Sequence, residues 1–287
     1  MARRVVPAIR PAGSRRRVLV RVGQYALLTL AAALILVPVY FSVVDSLLPP
    51  EKIFAYPPAL WITHPQWDTY RRAFETGSLG RYLVNSFAVS AVITAGQVFT
   101  SILAAYAFAF LRFPLRNFLF LVFLTTLMVP AEVTIIPNYH TVATLGWLDS
   151  YQGLTVPFLA TAFGTFLLRQ AFLTVPRDLR DAAAIDGYGH LGFVWRVVVP
   201  LSRPVIASLA VFSFLMAWNQ YLWPLLITNS DEYRTVQIGL KTLVSQNLDQ
   251  FNVVMAGTVV AAIPMFLLLV LFQRHLVRGL TAGAIKG

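Results

Sequence analysis

The sequence predicts an all-α, polytopic membrane protein with six transmembrane helices. Three observations lead to that expectation. The chain has 287 residues, of which 57% are hydrophobic and only 12% charged, whereas soluble domains carry about 25% charged residues. Six apolar stretches reach the roughly 20 residues that a helix needs to cross a hydrocarbon core of about 30 Å. The charges fall between those stretches, and no long polar segment is left to build a soluble domain.

Residues 1–21 are a basic arm, "MARRVVPAIRPAGSRRRVLVR", which resembles the start of a signal peptide. The apolar run behind it, 22–44, exceeds an h-region of about 7–15 residues and has no convincing A-x-A cleavage site. It is therefore expected to remain as the first span of one integral membrane domain, 22–287. Further spans are expected at 83–111, 117–137, 154–173, 205–228 and 253–273. Pro130, Pro137, Pro157, Pro224 and Pro264 lie in or beside them. Proline in a spanning helix is tolerated where neighbours or water satisfy the freed carbonyls, which suits a bundle packed around a pathway. A polar segment, 174–203, separates the fourth span from the fifth, and a short tail, 274–287, closes the chain.

Charge sets the orientation. With the N-terminus inside, the inner segments hold 17 of the 23 Lys and Arg residues and three of the 12 acids. The positive-inside rule then expects both termini, and the 174–203 segment, in the cytoplasm of a multi-pass inner-membrane protein. The net charge of +11 is accounted for by these flanking segments, so no nucleic-acid partner is expected; the bilayer is the surface that the basic residues meet.

Several polar residues inside the spans are candidates for a translocation pathway. Ser86, Ser90, Thr94, Gln97 and Ser101 recur at helical spacing and share one face of the second span. A polar face is costly in lipid, so it should turn inward, either as helix–helix glue or as the lining of a wet path. "AWNQYLWPLL" in the fifth span brings Asn219, Gln220 and Tyr221 between two tryptophans. Such aromatics form an interfacial belt or stack on a sugar-like solute. Glu132, two residues after Pro130, is the one acid inside an expected span. It is either a functional carboxylate or the hydrated end of a broken helix. Arg169 closes the fourth span and reads as a snorkelling anchor.

The chemistry that is absent narrows the function. There is no cysteine, no G-x-x-x-x-G-K-[ST], no H-E-x-x-H and no G-x-S-x-G, and His64, His140, His190 and His275 are scattered. Catalysis, a metal site and a P-loop are not expected in this chain. Uphill transport would draw on an ion gradient or on a partner engine. Gradient-driven carriers usually show several intramembrane ionisable groups, so the partner is favoured. A stand-alone secondary transporter with Glu132 as its coupling group is the alternative.

The 174–203 segment holds "PRDLRDAAAIDGYGH". Pro176 suits a helix start, Asp178 and Asp181 suit its positive end, and Gly187 suits a left-handed stop. A short helix, a glycine turn and a second short helix follow. The small alanines would let the first helix enter a groove on another protein, though an ordinary interhelical loop has the same features. The spacing D-A-A-A-I-D-G-x(12)-P-x(3)-P, Asp181 to Pro204, resembles the EAA loop of ABC-importer membrane subunits. Ala182, Ala183, Asp186, Gly187 and Pro200 match that pattern. Asp181 stands where the family usually has Glu, one methylene longer. Together with "MVPAEVTIIPNY", "WNQYLWPLLIT" and "RGLTAGAIKG", it makes residues 80–287 similar to the maltose-G-like permeases of carbohydrate-type importers. "LRFPLRN" and "GTFLLRQAF" are most similar to the permeases of glycerol-3-phosphate importers.

The resemblance implies a type I ABC importer permease fold that forms half of a translocation pathway. It implies a homologous second permease, two ATPase subunits that hold the ATP and magnesium, and an extracytoplasmic solute-binding protein. Asp181, Ala182, Ala183, Ile185, Asp186 and Gly187 would dock in the ATPase, and Gly283, Ala284, Lys286 and Gly287 would reach its dimer interface. The implied solute is glycerol-3-phosphate or a glycerophosphodiester, or else a di- or oligosaccharide. The central spans have no cluster of Arg or Lys to meet a phosphate.

Overall fold

The computed structural model describes residues 14–76, 78–247 and 249–281, and among them every regular element is helical. The start of the basic arm and the tail residues Gly283, Ala284, Lys286 and Gly287 lie outside the described residues. Helices α1 (Ser14–Leu47), α2 (Asp68–Thr76) and α3 (Leu79–Phe110) come first. Next are α4 (Arg116–Met128), α5 (Ala131–Thr144), α6 (Tyr151–Phe158) and α7 (Ala162–Phe172). Then come α8 (Arg177–Ile185), α9 (His190–Leu201) and α10 (Arg203–Trp218). The order closes with α11 (Leu222–Ile227), α12 (Val236–Gln246) and α13 (Phe251–Thr281).

Three of the six expected spans, α1, α3 and α13, are long and apolar enough to cross a membrane unbroken. The remaining apolar sequence does not form the simple unbroken helices expected. α4–α5, α6–α7 and α9–α10 are pairs bent by 97°, 45° and 82°. Proline chemistry accounts for the first two bends. Val129 turns extended ahead of Pro130, because the proline ring crowds the preceding residue out of the helical region. The carbonyls left open at that end are taken up locally: Thr125 and Thr126 donate to Val122 O and Phe123 O at 2.6 and 2.8 Å. Pro157 lies in a 3₁₀ turn, Val156–Phe158. The carbonyls of Phe158 and Leu159 accept from Gln97 Nε2 and Thr100 Oγ1 of α3, both at 2.9 Å. The stretch expected as one span over 205–228 breaks at Asn219–Tyr221, and α11 resumes beyond it.

Helix α3 is the mast of the bundle. Its first turn contributes Leu79 and Tyr82 to a cluster with Trp218, Val236, Leu243 and Val253. Val89 and Ile93 join Val142, Leu154, Trp223 and Ile227 in a second cluster. At the other end Ile102, Ala105 and Tyr106 pack with Leu168, Phe172, Phe193 and Leu209. Close approach is built in at Gly239 of α12, where a Cβ would run into the Tyr82 ring. Helix α1 is different. Its apolar window, Leu19–Leu47, has a mean hydropathy of 2.5 and is almost wholly exposed, with Val44, Ser46 and Leu47 buried at its far end. A helix hydrophobic all round and uncovered by protein is solvated by lipid.

Candidate functional site

At the end of α3 marked by Phe110, the chain builds a helix–turn–helix from α8 and α9. Helix α8 starts behind Pro176, with Asp178 in its first turn, where a negative charge meets the positive end of the helix. It stops in a Schellman turn. Tyr188 N donates to Ala183 O at 2.8 Å, Gly187 N donates to Ala184 O at 3.1 Å, and Gly187 has φ +80°. Glycine adopts that left-handed conformation without a Cβ penalty.

The module is bolted to the bundle on one side. Ala183 is 5% exposed and sits in the cluster with Tyr106, Phe172 and Phe193; its methyl lets α8 lie close. Arg180 Nη1 donates to Phe110 O, the last residue of α3, at 3.1 Å. Tyr106 Oη and His190 Nδ1 are hydrogen-bonded at 2.8 Å, which fastens the start of α9 to the same helix. The Arg196 guanidinium lies 4.8 Å over the Tyr188 ring and braces the turn. A π-helical turn, Val194–Val198, buries Val194 and Val198 on one face of α9.

The other side is open. Asp181, Ala182, Ile185, Asp186 and Gly187 are all exposed, Ile185 at 87% and Leu191 at 68%. Asp181 makes no hydrogen bond or ion pair with a described residue. The module therefore has one anchored face and one open face, which carries a bare isoleucine and carboxylates without partners among the described residues.

The sequence did not point to Arg180, Tyr106 or His190 as parts of this module. Each reaches a partner about 70 or more residues away, and only the end of α3 brings them together. The snorkelling role expected of Arg169 is corrected: its guanidinium stacks 4.1 Å from the Phe120 ring and Nε donates to Phe108 O at 3.3 Å. Arg169, Arg180 and Arg116, which donates to Leu111 O at 3.0 Å, thus cap the open carbonyls where α3 ends. Cations are favoured at that negative end.

The polar residues inside the spans divide. Ser86 Oγ accepts from Val236 N at 2.7 Å, and Gln97 bonds the broken α6–α7 pair as described above. Both are glue. Ser90 Oγ and Thr94 Oγ1 on α3, with Ser213 Oγ on α10 and Gln220 Oε1 at its broken end, are buried without a partner. Helices α3 and α10 pack against each other. Buried hydroxyls and amides are normally bonded, and non-helical backbone at membrane depth is tolerated where protein or a wet cavity surrounds it. Asn219 bonds back to Leu215 O at 2.9 Å, and Lys241 lies 5.9 Å over the Tyr221 ring. Glu132 stands apart from this group, exposed in the first turn of α5 beyond the 97° bend. Trp223, from the same motif, is buried and donates to Gly153 O at 3.0 Å, a structural role.

Comparison with known proteins gives concordant results. A family model described as the binding-protein-dependent transport system inner membrane component matches residues 97–282. The sn-glycerol-3-phosphate transport system permease protein UgpE of Yersinia pestis is 40% identical over 264 residues, covering 89% of this chain and 94% of that protein. The protein of the same name from Brucella abortus is 40% identical over 265 residues, with the same coverage. Among solved structures, a bacterial ABC transporter involved in the import of the acidic polysaccharide alginate superposes with a TM-score of 0.80 at 21% identity. That match covers 94% of this chain and 99% of the other. A bacterial alginate ABC transporter in complex with its pentasaccharide-bound periplasmic protein gives 0.62 at 13% identity, covering 91% and 96%.

Proposed function

The chain belongs to the binding-protein-dependent transport system inner membrane components, and from that membership we propose that α8 and α9 are the grip through which a separate ATPase drives it. The observation behind this reading is the two-sidedness of the module. One edge is fastened to α3 by Arg180, Ala183 and Tyr106–His190; the other presents Asp181, Ile185 and Asp186 to the outside. A push on the open edge is carried by those fastenings into the longest packed helix of the bundle. Interfaces of this kind shift as units rather than deform continuously.

The assembly pairs this chain with a homologous second permease, two ATPase subunits that bind ATP and magnesium, and an extracytoplasmic solute-binding protein. Both termini and the module face the cytoplasm, supported by the distribution of basic residues. The solute is glycerol-3-phosphate or a glycerophosphodiester, supported by the relatives at 40% identity, which are named as sn-glycerol-3-phosphate transport permeases. Ser90, Thr94 and Gln220 are the residues of this chain that meet it or its water.

Asp181→Lys and Ile185→Glu test the grip, because both side chains are exposed and their loss disturbs no internal contact. In the reconstituted system each variant should insert and assemble normally. Uptake of glycerol-3-phosphate should fall by about tenfold or more, the factor that a lost contact of about 1.4 kcal/mol gives, while ATP turnover no longer responds to the solute. Wild-type uptake in both variants would overturn the proposal.

A further inference from the structure

Where the α3–α4 turn meets the start of α8 there is a pocket of about 780 Å³ with Phe110, Arg112, Arg116, Phe118, Arg180 and Asp181 in its walls. Three guanidiniums against one carboxylate make it cationic. Two of the three are held in place: Arg116 and Arg180 each give one N–H to a carbonyl at the end of α3. Each keeps further donors free, since a guanidinium carries five. Arg112 is exposed and makes no hydrogen bond or ion pair with a described residue. At the rim stand Leu115, 69% exposed, and Phe118, 59% exposed. The turn that presents Leu115 is fixed by a left-handed backbone, φ 57°. Fixed guanidinium forks match a phosphate, and a basic pocket between membrane helices with an apolar rim matches a charged headgroup attached to acyl chains.

We infer that this pocket binds the phosphate of an anionic phospholipid, with an acyl chain lying on Leu115 and Phe118. The rim selects lipid over free phosphate, which would use the arginines alone. The inference rests on the proposed cytoplasmic placement only for the source of the lipid. Binding is read on the full chain without transport, so the two readings fail separately.

The purified full-length chain is titrated with phosphatidylglycerol and phosphatidylcholine and followed by native mass spectrometry. Phosphatidylglycerol should bind at least about tenfold more tightly, the ratio that about 1.4 kcal/mol gives. Arg112→Gln, which breaks no internal contact, should remove most of that preference, and exposed Arg203→Gln should not. Millimolar inorganic phosphate should leave the lipid bound. Equal binding of the two lipids, an unchanged Arg112→Gln variant, or displacement by inorganic phosphate would overturn the inference. So would cross-linking of the pocket to an acidic segment of the ATPase in lipid-replete membranes.

Discussion

Gln97 and Thr94 lie on one face of α3 and do different work. Gln97 satisfies Phe158 O at the broken α6–α7 pair, whereas Thr94 Oγ1 is buried with no partner. Gln97→Leu should therefore lower stability by about 1–3 kcal/mol, the cost of an orphaned buried carbonyl, read as a lower Tm in detergent. Thr94→Val should leave Tm unchanged and alter the KM of uptake. The spacing placed both residues on one inward face. Which of them is glue was not legible, because the partner carbonyl lies 61 residues away and is freed by a bend whose angle no local pattern encodes. Asp149 has a similar long-range role. Its carboxylate accepts from Asn229 N and Ser230 N at 2.6 and 2.8 Å, tying two loops together. The Ser230 N–H foremost, with Asn229 behind it, holds the carboxyl below its ordinary value of 3.8. A depressed folded value means that this contribution is complete above the ordinary value and is lost as pH falls through the folded one. Tm should therefore drop on acidification below about pH 4, and Asp149→Asn should flatten that part of the profile.

At the scale of the element, α8 is short and depends on its seat. Ala183 is buried between Tyr106, Phe172 and Phe193, so Ala183→Leu should overpack the joint, at about 1–3 kcal/mol. Because the strain falls on one helix, the expected reading is local: faster proteolysis or hydrogen exchange at 176–190, with the rest of the bundle unchanged. Protection equal to wild type there would mean that α8 is not seated as described. The helix, its glycine stop and its successor were legible from Pro176, the alanine run and Gly187, since capping chemistry is local. The anchoring was not, because Arg180 and His190 are ordinary polar residues until α3 ends beside them. The broken crossings show the same boundary. The sequence reads Pro130 and Pro157 as prolines tolerated within continuous spans, and the bends of 97° and 45° are not legible there because they depend on how neighbours take up the freed carbonyls.

Across the whole molecule, α3 links the two ends. Tyr106 and Phe110 hold the α8–α9 module at one end. Asn85 at the other end donates to Glu232 O and Arg234 O at 2.7 and 3.0 Å, and Ser86 accepts from Val236 N. One continuous helix thereby joins the module to the far loops. Composition made the membrane class legible and charge placement suggested the orientation. The exposure of α1 and the bare edge of α8 were not legible in composition, because they depend on which faces the rest of the bundle leaves uncovered. The chain has no cysteine, so Ile185→Cys creates a sole thiol at the centre of that edge. Labelled with a photo-activated benzophenone maleimide in the assembled transporter, the Ile185→Cys variant should cross-link to the ATPase subunit. The Asn229→Cys variant, labelled in the same way at the opposite end, should not. An assembled, transporting complex in which the labelled Ile185→Cys variant yields no ATPase adduct would contradict the account.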